Sequence, residues 1–72
     1  MTVLNLQAIV AVGCCVVVKA SDYTVFNLQS IATSGVKSGG KLHIKNANSL
    51  TSFNCQAIAS ANPGNVTFDF SE

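Results

Sequence analysis

The sequence predicts an α/β fold: three helix–strand repeats forming a parallel three-stranded sheet with all helices on one face, an open solenoid. Three observations predict it. The phrase Thr-Val-Leu-Asn-Leu-Gln-Ala-Ile at 2–9 returns as Thr-Val-Phe-Asn-Leu-Gln-Ser-Ile at 24–31 and as Thr-Ser-Phe-Asn-Cys-Gln-Ala-Ile at 51–58. A glycine-containing break and then a short β-like run follow each copy. Helix and strand in strict alternation require parallel strands joined by right-handed crossovers. Identical crossovers step the chain in one direction, so the helices share a side and the units stack.

One repeat domain of 1–72 is expected, with repeats at approximately 1–20, 21–47 and 48–72. The first helix runs from Thr2 and stops at Gly13. The strand-like run CCVVVKA at 14–20 follows it and is apolar on both faces. In the second copy Ser21 or Asp22 is placed to cap the helix, and Gly35 to end it. Its strand, KLHIKNA at 41–47, alternates cleanly: Leu42 and Ile44 face one way, Lys41, His43 and Lys45 the other. In the third copy Ser49 is the expected cap. Leu50, Phe53, Asn54, Ala57, Ile58 and Ala61 recur three and four residues apart, as one buried stripe would. Asn62-Pro63-Gly64 stops that helix. The last strand, NVTFDF at 65–70, sets Val66, Phe68 and Phe70 against Asn65, Thr67 and Asp69.

The second and third copies align without a gap at an offset of 27 residues, and the first aligns with the second at 22. The gapless alignment sets Cys15 and Val17 opposite Leu42 and Ile44, and so turns them inward. Writing the last strand against the first helix gives a different phase. Ser-Glu-Met-Thr-Val-Leu-Asn-Leu-Gln, read from residue 71 through 72 and on from residue 1, answers Ser-Asp-Tyr-Thr-Val-Phe-Asn-Leu-Gln at 21–29. That comparison turns Val16 and Val18 inward. The two phases differ by one residue and reverse the faces of the strand.

The stretch LHIKNANSLTSFNCQAIASANPGNVTF, from 42 to 68, resembles a leucine-rich repeat of the cysteine-containing type. That family reads Leu-x-Leu-x-x-Cys-x-x-Leu-Thr, then a helix ending near Ile-Ala, then a proline turn. Leu42, Ile44, Ala47, Leu50 and Thr51 fill the pattern, with Ala47 in the cysteine slot, and Ile58, Ala59 and Pro63 fill the helix end. Cys15, Val17, Ala20, Tyr23 and Thr24 match in the second copy. The resemblance implies a small protein-binding module that uses the open sheet face. About two and a half repeats stand here without an evident polar cap, where the family has many repeats and caps. That departure turns the first expectation toward assembly.

Composition agrees with a partner. Apolar residues make up 49% of 72 residues and charged residues only 10%, with a formal net charge of +1. A chain this short buries too little apolar surface to be comfortably stable alone. Its charge gives no electrostatic reason to expect nucleic acid or an anionic membrane. Cys14, Cys15 and Cys55 are an odd set without CxxC spacing, expected as small apolar fillers in a reducing, cytoplasmic setting. The apolar run 8–18 lacks a preceding Lys or Arg and is too short for a membrane helix, so neither a signal peptide nor a span is expected. Asn65-Val66-Thr67 is a sequon that matters only on secretion.

The expected function is therefore structural: head-to-tail polymerisation of a solenoid subunit into a filament or ring. The expected interface joins Val66, Phe68 and Phe70 of one molecule to Val3, Leu4, Leu6, Val16 and Val18 of the next. An unblunted apolar edge strand is a template for such pairing. Asn5, Asn27 and Asn54 recur at the border of each helix's apolar stripe, where they are expected to form an amide ladder along the stack. Lys41, His43, Lys45, Thr67 and Asp69 lie on the bare sheet face, the candidate partner face of the alternative reading. SGVKSGGK at 34–41 lacks the phosphate-loop hydroxyl, since Leu42 holds its place, and a strand rather than a helix follows. No acid, base and nucleophile stand together, and no metal or cofactor set is spelled, so an enzyme is not expected.

Overall fold

The computed structural model describes residues 2–71; Met1 and Glu72, which belong to the junction phrase, lie outside the described residues. Helices α1 (Val3–Ala11), α2 (Val25–Thr33) and α3 (Ser52–Ala61) alternate with strands β1 (Cys15–Lys19), β2 (Lys41–Lys45) and β3 (Val66–Phe68). The sheet is parallel, open and ordered β1-β2-β3, so each crossover advances the chain by one strand.

Threonine, not serine or aspartate, starts every helix. The Oγ1 atoms of Thr2, Thr24 and Thr51 accept the backbone N–H of Asn5, Asn27 and Asn54 at 3.2, 3.1 and 3.1 Å. Each Thr is extended, and its hydroxyl satisfies a donor that the first turn leaves free. The expected caps Ser21, Asp22 and Ser49 lie instead in short 3-10 turns, Ala20–Asp22 and Ala47–Ser49. Ala20 and Ala47, the first residues of those turns, are 3% and 0% exposed.

Starting α3 at Ser52 shifts its buried stripe. Phe53 falls in the first turn and is 75% exposed, contrary to the expected stripe, while Ile58 is fully buried.

Strand register settles the conflict of phases. Val16 pairs with Leu42 and Val18 with Ile44, and Leu42 and Ile44 pair in turn with Val66 and Phe68. Val16 and Val18 are buried; Cys15 and Val17 are exposed, the reverse of the gapless alignment. Strands β1 and β2 therefore repeat at 26 residues, and only from Ala20 and Ala47 onward does the offset become 27. The extra residue is Asn46, which adopts the left-handed conformation (φ 54°, ψ 42°) between Lys45 and Ala47. Asparagine tolerates that conformation better than other side-chain-bearing residues. Cys14 and Cys15 are correspondingly exposed, not core fillers, and Cys55 is half-buried; all three thiols are free.

The strands are shorter than expected, but the ladder runs one step beyond β3. Asp69 donates its N–H to the Ile44 carbonyl at 2.8 Å, and its carbonyl accepts from Ala47 N–H at 2.9 Å. Phe70 lies past this point and is 54% exposed, so it does not continue the inward row of Val66 and Phe68.

A polar seam ties the repeats together at the helix C-termini. Ser38 Oγ donates to the Val10 carbonyl at 2.9 Å, and Gly40 N–H donates to Ser38 Oγ at 3.3 Å. Asn62 Nδ2 donates to the Gly40 carbonyl at 3.0 Å, and Asn65 Nδ2 to Asn62 Oδ1 at 3.0 Å. Gly40 runs so close to α1 that a Cβ there would stand 2.1 Å from the Val10 carbonyl oxygen.

Candidate assembly surfaces

The three copies of the repeat act as internal controls for one another. Ile9, Ile31 and Ile58 hold the same place in α1, α2 and α3. Ile31 and Ile58 are 0% exposed, whereas Ile9 is only half-buried. Helices α2 and α3 each have a preceding helix stacked beside them, and α1 has none among the described residues. Leu42 and Ile44 at the centre of the sheet are 1% and 0% exposed, yet Val66 and Phe68, their partners in β3, are only half-buried. Each end of the stack thus shows apolar side chains where the next unit would lie.

The expected interface residues separate into two groups. Leu6, Val16 and Val18 are buried in the chain's own core. Val3 packs partly against that core, and Leu4, 76% exposed, points outward from the helix layer. On the opposite end Val66 and Phe68, the inward residues of the edge strand β3, pack only partly against the core, and Phe70 stacks on Phe68 with ring centroids 6.3 Å apart. Sequence reasoning missed Ile9, although its identity with Ile31 and Ile58 was the available signal. Strands β1 and β3 are the two sheet edges, each with one side facing no further strand among the described residues.

Asn5, Asn27 and Asn54 each sit three residues after the capping threonine, and their backbone N–H groups are what the caps bind. No hydrogen bond joins their side chains among the described residues. The side-chain amide that does bridge repeats, that of Asn62, stands at the other end of the helices, where Asn65 braces it.

Lys41, His43, Lys45, Thr67 and Asp69 lie on the sheet face away from the buried row, joined by Cys15, Val17 and Lys19. Lys19 and Lys45 are direct cross-strand neighbours. With Asn46, Asp69 and Ser71 they line a shallow cleft of about 300 Å³ at the strand C-termini. Asp69 Oδ1 accepts from both the backbone N–H and the hydroxyl of Ser71, and its Oδ2 lies 3.9 Å from His43 Nε2. The Ser71 hydrogen bonds hold the Asp69 carboxyl below the usual carboxylate range; partial desolvation opposes them, and His43 and Lys45 add to them. Aspartate stands between the serine and the histidine, so His43 is not placed to take the Ser71 proton.

Comparison with known protein families, characterised proteins and solved structures finds no match to this chain.

Proposed function

We propose that this chain is a structural subunit that stacks head to tail, the β3 face of one copy against the α1 face of the next. The observation that carries the reading is the contrast between Ile9 and its equivalents Ile31 and Ile58, mirrored by Val66 and Phe68 against Leu42 and Ile44. Both end faces of the described stack carry apolar side chains that are only partly covered. The same helix phrase that α2 presents to α1 recurs in α1, so the contact made inside the chain has a template for repetition between chains.

In that contact β1 of one copy extends the sheet of the other beside β3, in parallel, and Ile9 is covered as Ile31 is. Completing the burial of Ile9, Val66, Phe68 and Phe70 contributes on the order of several kcal/mol at about 25 cal/mol per Å². Strand pairing and helix stacking add to this against an association cost of roughly 4–15 kcal/mol. The contact is heterologous, so it runs on as a filament, or as a ring where the rotation per subunit closes.

Sedimentation velocity over a range of concentrations tests the proposal. Growth of species beyond the dimer with concentration, abolished by Ile9→Asp, supports it. A monomer at every concentration overturns it and leaves the open sheet face as the surface of a small binding module.

A further inference from the structure

None of the three helices contains a charged residue or a histidine. All four lysines, His43, Asp22 and Asp69 lie in strands, turns or loops. A surface helix ordinarily turns a charged face to water; here the whole helix layer turns out only apolar, hydroxyl and amide groups. Leu4, Phe26 and Phe53 occupy the same position, two residues after each capping threonine, and are 76%, 73% and 75% exposed. They form one row across the stack, stepped by about 10 Å, the usual spacing of packed helices. Large apolar side chains exposed together on one face mark contact surfaces.

We propose that the helix layer is a second, isologous interface, which pairs two copies of this chain back to back around a two-fold axis near Phe26. The row is self-complementary in that arrangement: Phe26 meets its counterpart, and Leu4 meets Phe53 in both directions. A charged face would repel its own copy, and this one carries no charge to do so. The groove of about 460 Å³ beside Phe26, lined by Gln7, Gln29, Ser30 and Thr33 among others, gives an incoming ring a place to lie. Its amides and hydroxyls find hydrogen-bonding partners on a second copy, which the hydrocarbon of a bilayer does not supply. Lys19, Lys41 and Lys45 lie in the sheet layer and Lys37 in the loop between α2 and β2, so no helix itself carries a cation that would draw this layer onto anionic lipid. The molecule measures 28 × 24 × 19 Å. A layer of that size buries about 1,000 Å² in a pair, the lower limit for a specific interface.

This pairing is independent of head-to-tail stacking, and the test keeps the two apart. The full chain carrying Ile9→Asp is compared with the same chain carrying also Phe26→Lys and Phe53→Lys, by sedimentation velocity and far-ultraviolet circular dichroism. The expected result is a dimer that the lysines convert to a monomer with an unchanged spectrum. A monomer in both chains, or an oligomer indifferent to the lysines, overturns the inference. Polymers that persist with Ile9→Asp alone count against stacking, while the lysine comparison still decides the pairing. A second measurement does not depend on how Ile9→Asp folds. With Cys14, Cys15 and Cys55 replaced by Ser or Ala, Phe26→Cys oxidises to a covalent dimer, and Leu4→Cys cross-links to Phe53→Cys but not to itself. Cross-linking of Leu4→Cys to itself, or flotation of the parent chain with phosphatidylcholine vesicles that the lysines abolish, overturns the two-fold pairing.

Discussion

Asn62 in the turn after α3 donates its side-chain amide to the Gly40 carbonyl ahead of β2, 3.0 Å away, and is itself 2% exposed. Its Oδ1 accepts from Asn65 Nδ2, so one buried side chain joins the third repeat to the second and braces its own turn. Replacement by leucine leaves the Gly40 carbonyl without that donor in a buried place. Asn62→Leu is expected to lower stability by about 1–3 kcal/mol in urea unfolding.

Asn46 is the single residue that brings a 26-residue strand repeat and a 27-residue helix repeat into step. Its left-handed backbone disfavours branched side chains. Asn46→Val is expected to cost about 1–2 kcal/mol, and Asn46→Gly to be close to neutral, in thermal or urea unfolding. Equal stability of the two variants would contradict the role assigned to this residue.

Asp69 titrates below the ordinary carboxylate range chiefly because Ser71 donates to it twice. A depressed carboxyl favours the folded state above its unfolded pKa, and that contribution is lost as pH falls through the folded pKa. Ser71→Ala removes the hydroxyl bond and is expected to raise the Asp69 pKa toward its usual value, followed by carboxyl chemical shifts in an NMR titration. An unchanged titration would show that the hydroxyl is not the cause.

The thiols are expected to differ in reactivity. Cys14 and Cys15 are exposed, while Cys55 is half-buried and its pKa is raised by desolvation. Thiolate is the reactive species, so alkylation followed by mass spectrometry is expected to label Cys55 last. Labelling of Cys55 first in the folded chain would contradict its placement.

The architecture was legible in the sequence because repetition is a tertiary signal. Three copies of one phrase imply the helix–strand order, the parallel sheet and the single helix layer, all of which the structure shows. Local phase was less legible. An unbroken apolar run hid it in β1, where residues 14–18 are apolar on both faces, and a one-residue insertion at Asn46 was invisible in a gapless alignment. The caps were misplaced because Ser21, Asp22 and Ser49 are good capping residues that lie instead in 3-10 turns beginning at the buried Ala20 and Ala47. Phe26 and Phe53 look like core residues by composition, and only the position of the capping threonine turns them outward. The end surfaces were half legible. Val66 and Phe68 stand out as an apolar last strand, but Leu6, Val16 and Val18 belong to the core, and at the other end it is Ile9 that is less buried than its equivalents Ile31 and Ile58.

The central claim is that the Ile9 face of one copy meets the Phe68 face of another. Mixing two blocked variants tests it most directly. Ile9→Asp leaves only the β3 face able to stack, and Phe68→Asp leaves only the α1 face. With the helix layer silenced by Phe26→Lys and Phe53→Lys in both chains, each variant alone is expected to be a monomer. An equimolar mixture is expected to form one-to-one heterodimers in native mass spectrometry. A mixture that stays monomeric while both variants remain folded by circular dichroism would contradict the claim.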